Sequence, residues 1–432
     1  MALLHAPARP RPDTLAWWLF AASLVLGMGL SAQALAALGI PYDAPYGPPL
    51  AKLHPGSYVL VLAWCFALAR HGNPLAVLMQ SLRRRPLLAG YLLCMVLVFA
   101  WVIFRHGTSG AAYIVQTLWM PALALFTLGL LTPRRARQTL VLVMALLGAN
   151  AVLALAEYAF KVHVVPLPAE LEGVQYFRAS ALLGHPLLNA NVTMALLPAV
   201  MLLPLRRAQQ IALGLLLLAS VLAFGARTAL VVGVVVYGAH AVSATLLQAL
   251  RGRYSYVQLT GSSALLLLGG ALLAATVQAT GLGERIFSNL KWDNSANVRL
   301  QVWDAFDYLN GSDWWLGVAP LQIDRIAVAM GLDPRYEAIE NFWIYAFLQF
   351  GAVGFVPFMA GMLCLVVLLL ARAQPAMRSA VVVFFIVAST ANSLSSKTIS
   401  LMLLAVVVMA SAAPQRAAAA APLAATRGAR PA

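Results

Sequence analysis

Residues 133–160 read PRRARQTLVLVMALLGANAVLALAEYAF, and the fold is decided there. From Thr139 to Phe160 the segment carries a single charged side chain, Glu157, close to its end. It is as long as the roughly 20 apolar residues a helix needs to cross a bilayer core of about 30 Å. Three arginines, Arg134, Arg135 and Arg137, stand directly before it with no acid among them. Apolar, long and charged on one flank, the stretch reads as a transmembrane helix that starts at the cytoplasmic face.

The same reading extends along the chain in both directions. Comparable segments are Trp17–Leu38, Ser57–Ala69, Leu87–Phe104, Ala111–Leu131, Val192–Leu205, Gln210–Phe224, Thr228–Leu247, Leu259–Val277, Phe342–Leu370, Ala380–Ser395 and Ile399–Ala412. With Thr139–Phe160 they make twelve spans, of which the second and the last two are short. If the N-terminus lies inside, the inner connections hold Arg9 and Arg11; Arg70, Arg83, Arg84 and Arg85; Arg134, Arg135 and Arg137; Arg206 and Arg207; Arg251 and Arg253; Arg372 and Arg378; and Arg416, Arg427 and Arg430. These are 18 of the 29 basic residues, and one acid, Asp13, accompanies them. The outer side keeps 11 bases and 13 acids, so net charge is +17 inside and −2 outside. One span missed or invented would scramble that alternation, so both termini are expected in the cytoplasm.

Composition agrees. Of 432 residues, 62% are hydrophobic and 10% charged, against about 25% charged in soluble domains. A water-soluble chain of this length could not hide so much apolar surface in one core, so lipid is part of its solvent. The chain's net charge of +15 is then a topogenic signal that also contacts anionic headgroups, and nucleic-acid binding is not implied. Cys65, Cys94 and Cys364 all fall inside apolar segments, which leaves no disulfide framework or metal cluster for the outer loops. No cleavable signal peptide is expected, because Trp17–Leu38 is long and no clear small-residue cleavage site follows it. Residues 413–432 are rich in Ala, Pro and Arg and read as a disordered tail.

The expected fold class is therefore all-α. It is a polytopic membrane protein of about twelve transmembrane helices, one domain over residues 1–412, with a large, partly helical outer loop over 278–341 between the ninth and tenth spans. Within that loop Asn297 can cap a helix with Val298, Val302, Phe306 and Leu309 as its apolar stripe, leaving Arg299, Asp304 and Asp307 off the stripe. Trp314 and Trp315 suit contact with headgroups, and a second helix is expected over Leu321–Met330. Both helices read first as a cap on the bundle. No internal repeat points to the inverted halves of a transporter.

Ionisable groups inside spans mark ion-coupled transport, and this chain has almost none; its acids and bases collect in the outer loops. Four outer features stand out: Phe177 to Asn191, which includes Arg178, Gly184, His185 and Asn189; the tight turn Gly225-Ala226-Arg227-Thr228; Trp303 with Gly317-Val318-Ala319-Pro320; and Glu340-Asn341-Phe342-Trp343, followed by Gly351 and Gly354. A guanidinium in a two-helix turn at the membrane surface wants a partner. Arg227 suits a phosphate, whose oxygens its planar fork can bind two at a time, or it snorkels to lipid headgroups. Arg178 reads either as a ligand group or as an ordinary loop arginine. His185, in its Gly-His-Pro turn, reads as structural or as a base, and Glu340 alone is an ordinary loop acid.

The order and spacing of these motifs resemble the O-antigen ligase and polysaccharide polymerase family of bacterial inner-membrane glycosyltransferases, over about Arg178 to Gly354. In that family an Arg precedes a Gly-x-x-x-x-Asn segment at the start of a span, here Arg178, Gly184 and Asn189 with Asn191. A second Arg in a short outer turn matches Arg227, and a Trp and a Gly-x-x-Pro stretch match Trp303 and Gly317–Pro320. The resemblance implies an enzyme that takes a glycan from undecaprenyl diphosphate at the periplasmic face and transfers it to a sugar hydroxyl, with no metal and no cofactor. Arg178 and Arg227 would hold the diphosphate. Glu340, or failing it His185, would take the proton, with Asn189, Asn191, Trp303 and Asn341 in support. Ligases commonly carry His-Asn where this chain has Glu340-Asn341, which leans the reading toward a polymerase of exopolysaccharide or O-antigen over a ligase to lipid A core. Partners implied are the lipid-linked donor, a glycan or lipid A core acceptor, membrane lipids and other polysaccharide assembly proteins. A transporter or flippase of lipid-linked saccharides is the alternative from another class.

Overall fold

The structure is a computed structural model that describes residues 13–44, 47–108, 110–165, 177–250, 299–332, 339–391 and 394–412. The expected span Leu259–Val277, the first part of the large loop and the tail lie outside the described residues. Among the described residues the chain is all-helical, a helical membrane protein without strands.

In chain order the helices are α1 Thr14–Gly29, α2 Ala32–Ala37, α3 Pro55–Ala69, α4 Pro74–Arg84, α5 Pro86–His106, α6 Ala111–Leu130 and α7 Pro133–Phe160. They continue with α8 Pro186–Leu196, α9 Arg207–Phe224, α10 Arg227–Leu250, α11 Gly311–Leu316, α12 Pro320–Ala329, α13 Phe342–Arg372, α14 Pro375–Ser389 and α15 Ser400–Ser411. Six of these (α5, α6, α7, α9, α10 and α13) are long and apolar enough to cross a membrane alone, and α3 with α4 makes a seventh if that pair, bent by 103°, is one span. The shorter apolar helices are α1, α8 with its 3-10 extension to Leu202, α14 and α15. A 12-residue helix reaches only about 18 Å, but Leu401–Val408 of α15 is buried throughout, so it meets protein where a lipid-facing span would need more length.

Several boundaries differ from the sequence expectation. The first span breaks after Gly29, and Ser31 caps a separate α2 by accepting from Ala34 N–H. The sixth begins at Pro186, not Val192, so Asn189 and Asn191 sit inside a helix. The eleventh ends at Ser389. The stretch after Arg70 holds α4, an amphipathic helix ending in Arg83 and Arg84, suited to lying in the membrane interface.

Lipid gives helices no hydrophobic reason to associate, so close packing must do it. A Cβ added to Gly56 would lie 2.8 Å from Ser23 O and 3.2 Å from Gly27 N, which joins α3 to α1 backbone to backbone. On α13, a Cβ added to Gly361 would meet the side chains of Cys94 and Met95 on α5, so the glycine makes room for them. The polar contacts sort to two ends of the bundle. At one end Asp13 accepts from Thr132 N–H and faces Arg70 and Arg135, so the start of α1, the end of α3 and the start of α7 share a face. At the other end lie the groups described below.

α13 is broken at Gly351, whose φ of 58° places it in the left-handed region, where glycine alone is free of Cβ strain. The break releases three carbonyls, and each has a new donor: Val318 N–H for Leu348, His106 Nε2 for Gln349 and Trp101 Nε1 for Phe350. This accounting is what membrane depth demands of irregular backbone. The 315–318 strand of chain lies directly on the break, since a Cβ on Gly351 would come within 2.3 Å of Gly317 N. Phe306 stacks on Trp314 at 5.4 Å, and Phe347 meets both edge-on. The cap over 299–332 is thereby fastened to α13, with its own apolar core that includes Val302, Ala305, Ile323 and Leu348. The start of the helix expected from Asn297 lies outside the described residues; residues 299–301 are helical and run into a tight 3-10 helix over Val302–Tyr308, and the second expected helix is α12.

Candidate functional site

Glu157 is the first organiser of this second end. Expected near the interface, it is 2% exposed, and its two oxygens accept from the backbone N–H groups of Val164 (2.9 Å), Ser180 (2.8 Å) and Ala181 (2.9 Å). His163 Nδ1 lies 3.8 Å away. Asn150 Oδ1 takes Leu182 N–H at 2.9 Å, and Asn189 Nδ2 donates to Ser180 O and His185 O. A carboxylate held by several N–H donors is strongly bonded, so α7 fixes the shape of the 178–185 connection from below.

That connection is pressed against the α9–α10 turn. Arg178 Nε donates to Phe224 O at 3.0 Å and Ala179 N–H to Ala223 O at 3.1 Å. Gly225, with φ of 63°, ends α9, and Arg227 opens α10, half-buried. Arg178 is thus anchored three residues before Arg227, so two arginines far apart in sequence are brought to one turn.

Glu340 joins from the third side. Its Oε2 lies 3.3 Å from Arg299 Nη2, with both side chains half-buried. Arg299, Asn191 and Thr228 line a cavity of about 20 Å³, room for about one water. Asn191 is 1% exposed, and neither its Oδ1 nor its Nδ2 has a hydrogen-bond partner among the described residues. A buried amide without partners is costly, and its place on this wall makes it available to whatever enters.

Beside this group, sharing Leu187 and Ala391 as walls, is a cavity of about 960 Å³. Lys52, His54, Lys397 and Tyr345 are among its lining residues, and the ring of His185 presents its exposed face to it. Surrounding protein and then the Arg178 charge lower the pKa of His185 to about 4, so the imidazole is neutral at pH 7. His54 is fixed by Nε2 to Leu30 O at 2.7 Å and by Gly56 N–H to Nδ1; burial lowers its pKa despite the Leu30 bond. Gln116 Oε1 takes His54 N–H and Ser57 Oγ from a π-helical stretch of α6, Ile114–Trp119. Distortions of that kind recur at functional sites.

Of the residues expected from sequence, Arg178, Arg227, His185, Asn189 and Asn191 gather around the head of α8, and Glu340 reaches the same place through Arg299. Asn341 caps α13, its Oδ1 accepting from Trp343 and Ile344 N–H. Trp303 is 59% exposed on the cap. Sequence reading did not select Arg299, Glu157, Lys52, His54 or Lys397. The signal for Lys397 was its place in Ser395-Ser396-Lys397-Thr398 between two short apolar segments, and Glu157 was visible as the one acid in a span. No protein-family model matches the chain, and no curated protein matches it.

Proposed function

We propose that this chain is a glycosyltransferase of the bacterial inner membrane that moves a glycan from undecaprenyl diphosphate onto a sugar hydroxyl at the periplasmic face, acting as a polysaccharide polymerase. The observation that carries the reading is the anchoring of Arg178 on Phe224 O, three residues before Arg227 at the α9–α10 turn, together with the Arg299–Glu340 pair, whose Arg299 lines a small cavity with Asn191 and Thr228. Two guanidinium groups offset the charge that develops on a departing diphosphate. The acceptor oxygen bonds to the anomeric carbon, the bond from that carbon to the diphosphate oxygen breaks, and the diphosphate leaves with the electron pair. Glu340 takes the hydroxyl proton, with His185 as the second base, a contribution of about 10²–10⁴-fold. Both termini in the cytoplasm and a periplasmic site follow from the charge asymmetry.

Glu340, standing where ligases carry His, supports a polymerase over a ligase to lipid A core. Transport of lipid-linked saccharides is the second reading, favoured by the broken α13, since discontinuous helices line transporter sites. The deciding experiment compares surface glycans and lipid extracts of a strain lacking the gene with a complemented one. A polymerase leaves single repeat units accumulating on undecaprenyl diphosphate and no long polymer. Full-length polymer retained on the carrier means ligase, and two unchanged pools in a strain expressing the pathway defeat the transferase reading.

A further inference from the structure

The 960 Å³ cavity is larger than a diphosphate needs and lies to one side of the arginines. We infer that it is the subsite for the acceptor sugar chain, an assignment that rests on the glycan-transfer reading. Its volume is at the upper end of the range for small-molecule sites. Gln33, Ser31 and Ser396 give its wall amide and hydroxyl groups, while Phe99 and Ile103 supply an apolar floor. A saccharide is matched by both, since each ring has a hydrogen-bonding edge and a C–H face.

Position argues the same way. His185 lies on the cavity wall with the Arg178 charge beside it, so a hydroxyl held in the cavity has an imidazole on its wall, while the two lysines of the lining, Lys52 and Lys397, are engaged by the backbone carbonyls of Pro41 and Tyr42. Leu187 and Ala391 are the partition between this cavity and the one lined by Arg299, Asn191 and Thr228. Donor phosphate and acceptor sugar then approach α8 from opposite sides. The wall is preformed: Lys397 bonds Tyr42 O and pairs with Asp43 at 3.0 Å, and Thr117 Oγ1 holds Ser396 O at 2.6 Å. Gln33 is in touch with the His185 turn, because a Cβ on Gly184 would fall 2.2 Å from Gln33 Oε1. A break in the first span after Gly29 is what brings Gln33 there.

The test measures binding of two probes to the full chain in nanodiscs: undecaprenyl diphosphate without sugar, and a short oligosaccharide released from the strain's own polymer. Gln33→Trp should weaken the oligosaccharide at least tenfold and leave undecaprenyl diphosphate within twofold; Arg227→Ala should do the reverse. Thr108→Trp, placed at an exposed lining position, is the second filling variant should Gln33→Trp misfold. Loss of undecaprenyl diphosphate in the filled variants assigns the cavity to the donor and overturns the inference, as does unchanged oligosaccharide binding. If the wild-type chain binds the lipid and no oligosaccharide, the acceptor assignment alone falls. If it binds neither, the transferase reading falls with it.

Discussion

Replacing Glu157 by glutamine tests whether the shape of the arginine site is set from inside the bundle. The carboxylate serves Val164 N–H through Oε1 and Ser180 and Ala181 N–H through Oε2, at 2.8–2.9 Å. Glutamine has one acceptor oxygen, so it keeps the Ser180–Ala181 pair and turns its amide nitrogen toward Val164 N–H. Val164 is 62% exposed, so its freed N–H turns to water, while each retained bond loses roughly 1 kcal/mol with the charge. The total is about 2 kcal/mol, concentrated in the connection that carries Arg178 and His185. Amide exchange reads it directly: opening made easier by that amount accelerates exchange at Ser180 and Ala181 on the order of 10–10²-fold, while the centre of α15 stays protected. Glycan output should fall with the loosened Arg178. Exchange at Ser180 and Ala181 within threefold of wild type would refute the claim that Glu157 organises the site.

Further predictions concern individual contacts. Arg178→Ala and Arg227→Ala should each abolish transfer at unchanged membrane level, and normal polymer in both removes the diphosphate clamp. Glu340→Gln and Arg299→Ala should each lower kcat, with a double mutant little worse than either single one, because paired residues are not additive; full additivity in a double-mutant cycle would show that the 3.3 Å contact does nothing for the reaction. Gly351→Ala should destabilise by about 3 kcal/mol or more, from left-handed strain and overlap with the 315–317 backbone, seen as a lower melting temperature and altered Trp314 fluorescence. For His185, whose pKa falls from 6.5 to about 4 on folding, the unfolded chain binds the extra proton between those values. Its stabilising contribution is therefore complete above pH 6.5 and lost as pH falls toward 4. Melting temperature should drop across that window in the wild type and less so in His185→Gln; identical profiles would contradict the shift.

Sequence alone determined that the chain is an all-helical membrane protein and which stretches are apolar enough to span. Lipid imposes local rules, about 20 apolar residues and positive flanks, that need no knowledge of neighbours. It also singled out Arg178, Arg227, His185, Asn191 and Glu340 among the polar groups expected on the outer side, by the order and spacing of their motifs. What it could not reach depended on partners distant in the chain. Glu157 looked like a stray acid until the Val164 and Ser180–Ala181 amides closed over it. Glu340 looked isolated until Arg299 met it, and Asn191 moved into a helix once α8 began at Pro186. Only tertiary packing decided the Gly351 break, since three freed carbonyls find their donors on α5 and in the cap. Only packing could bring Gln33, His185 and Lys397 around one cavity, because hydrogen bonds across the bundle, and not apolar length, hold those walls together.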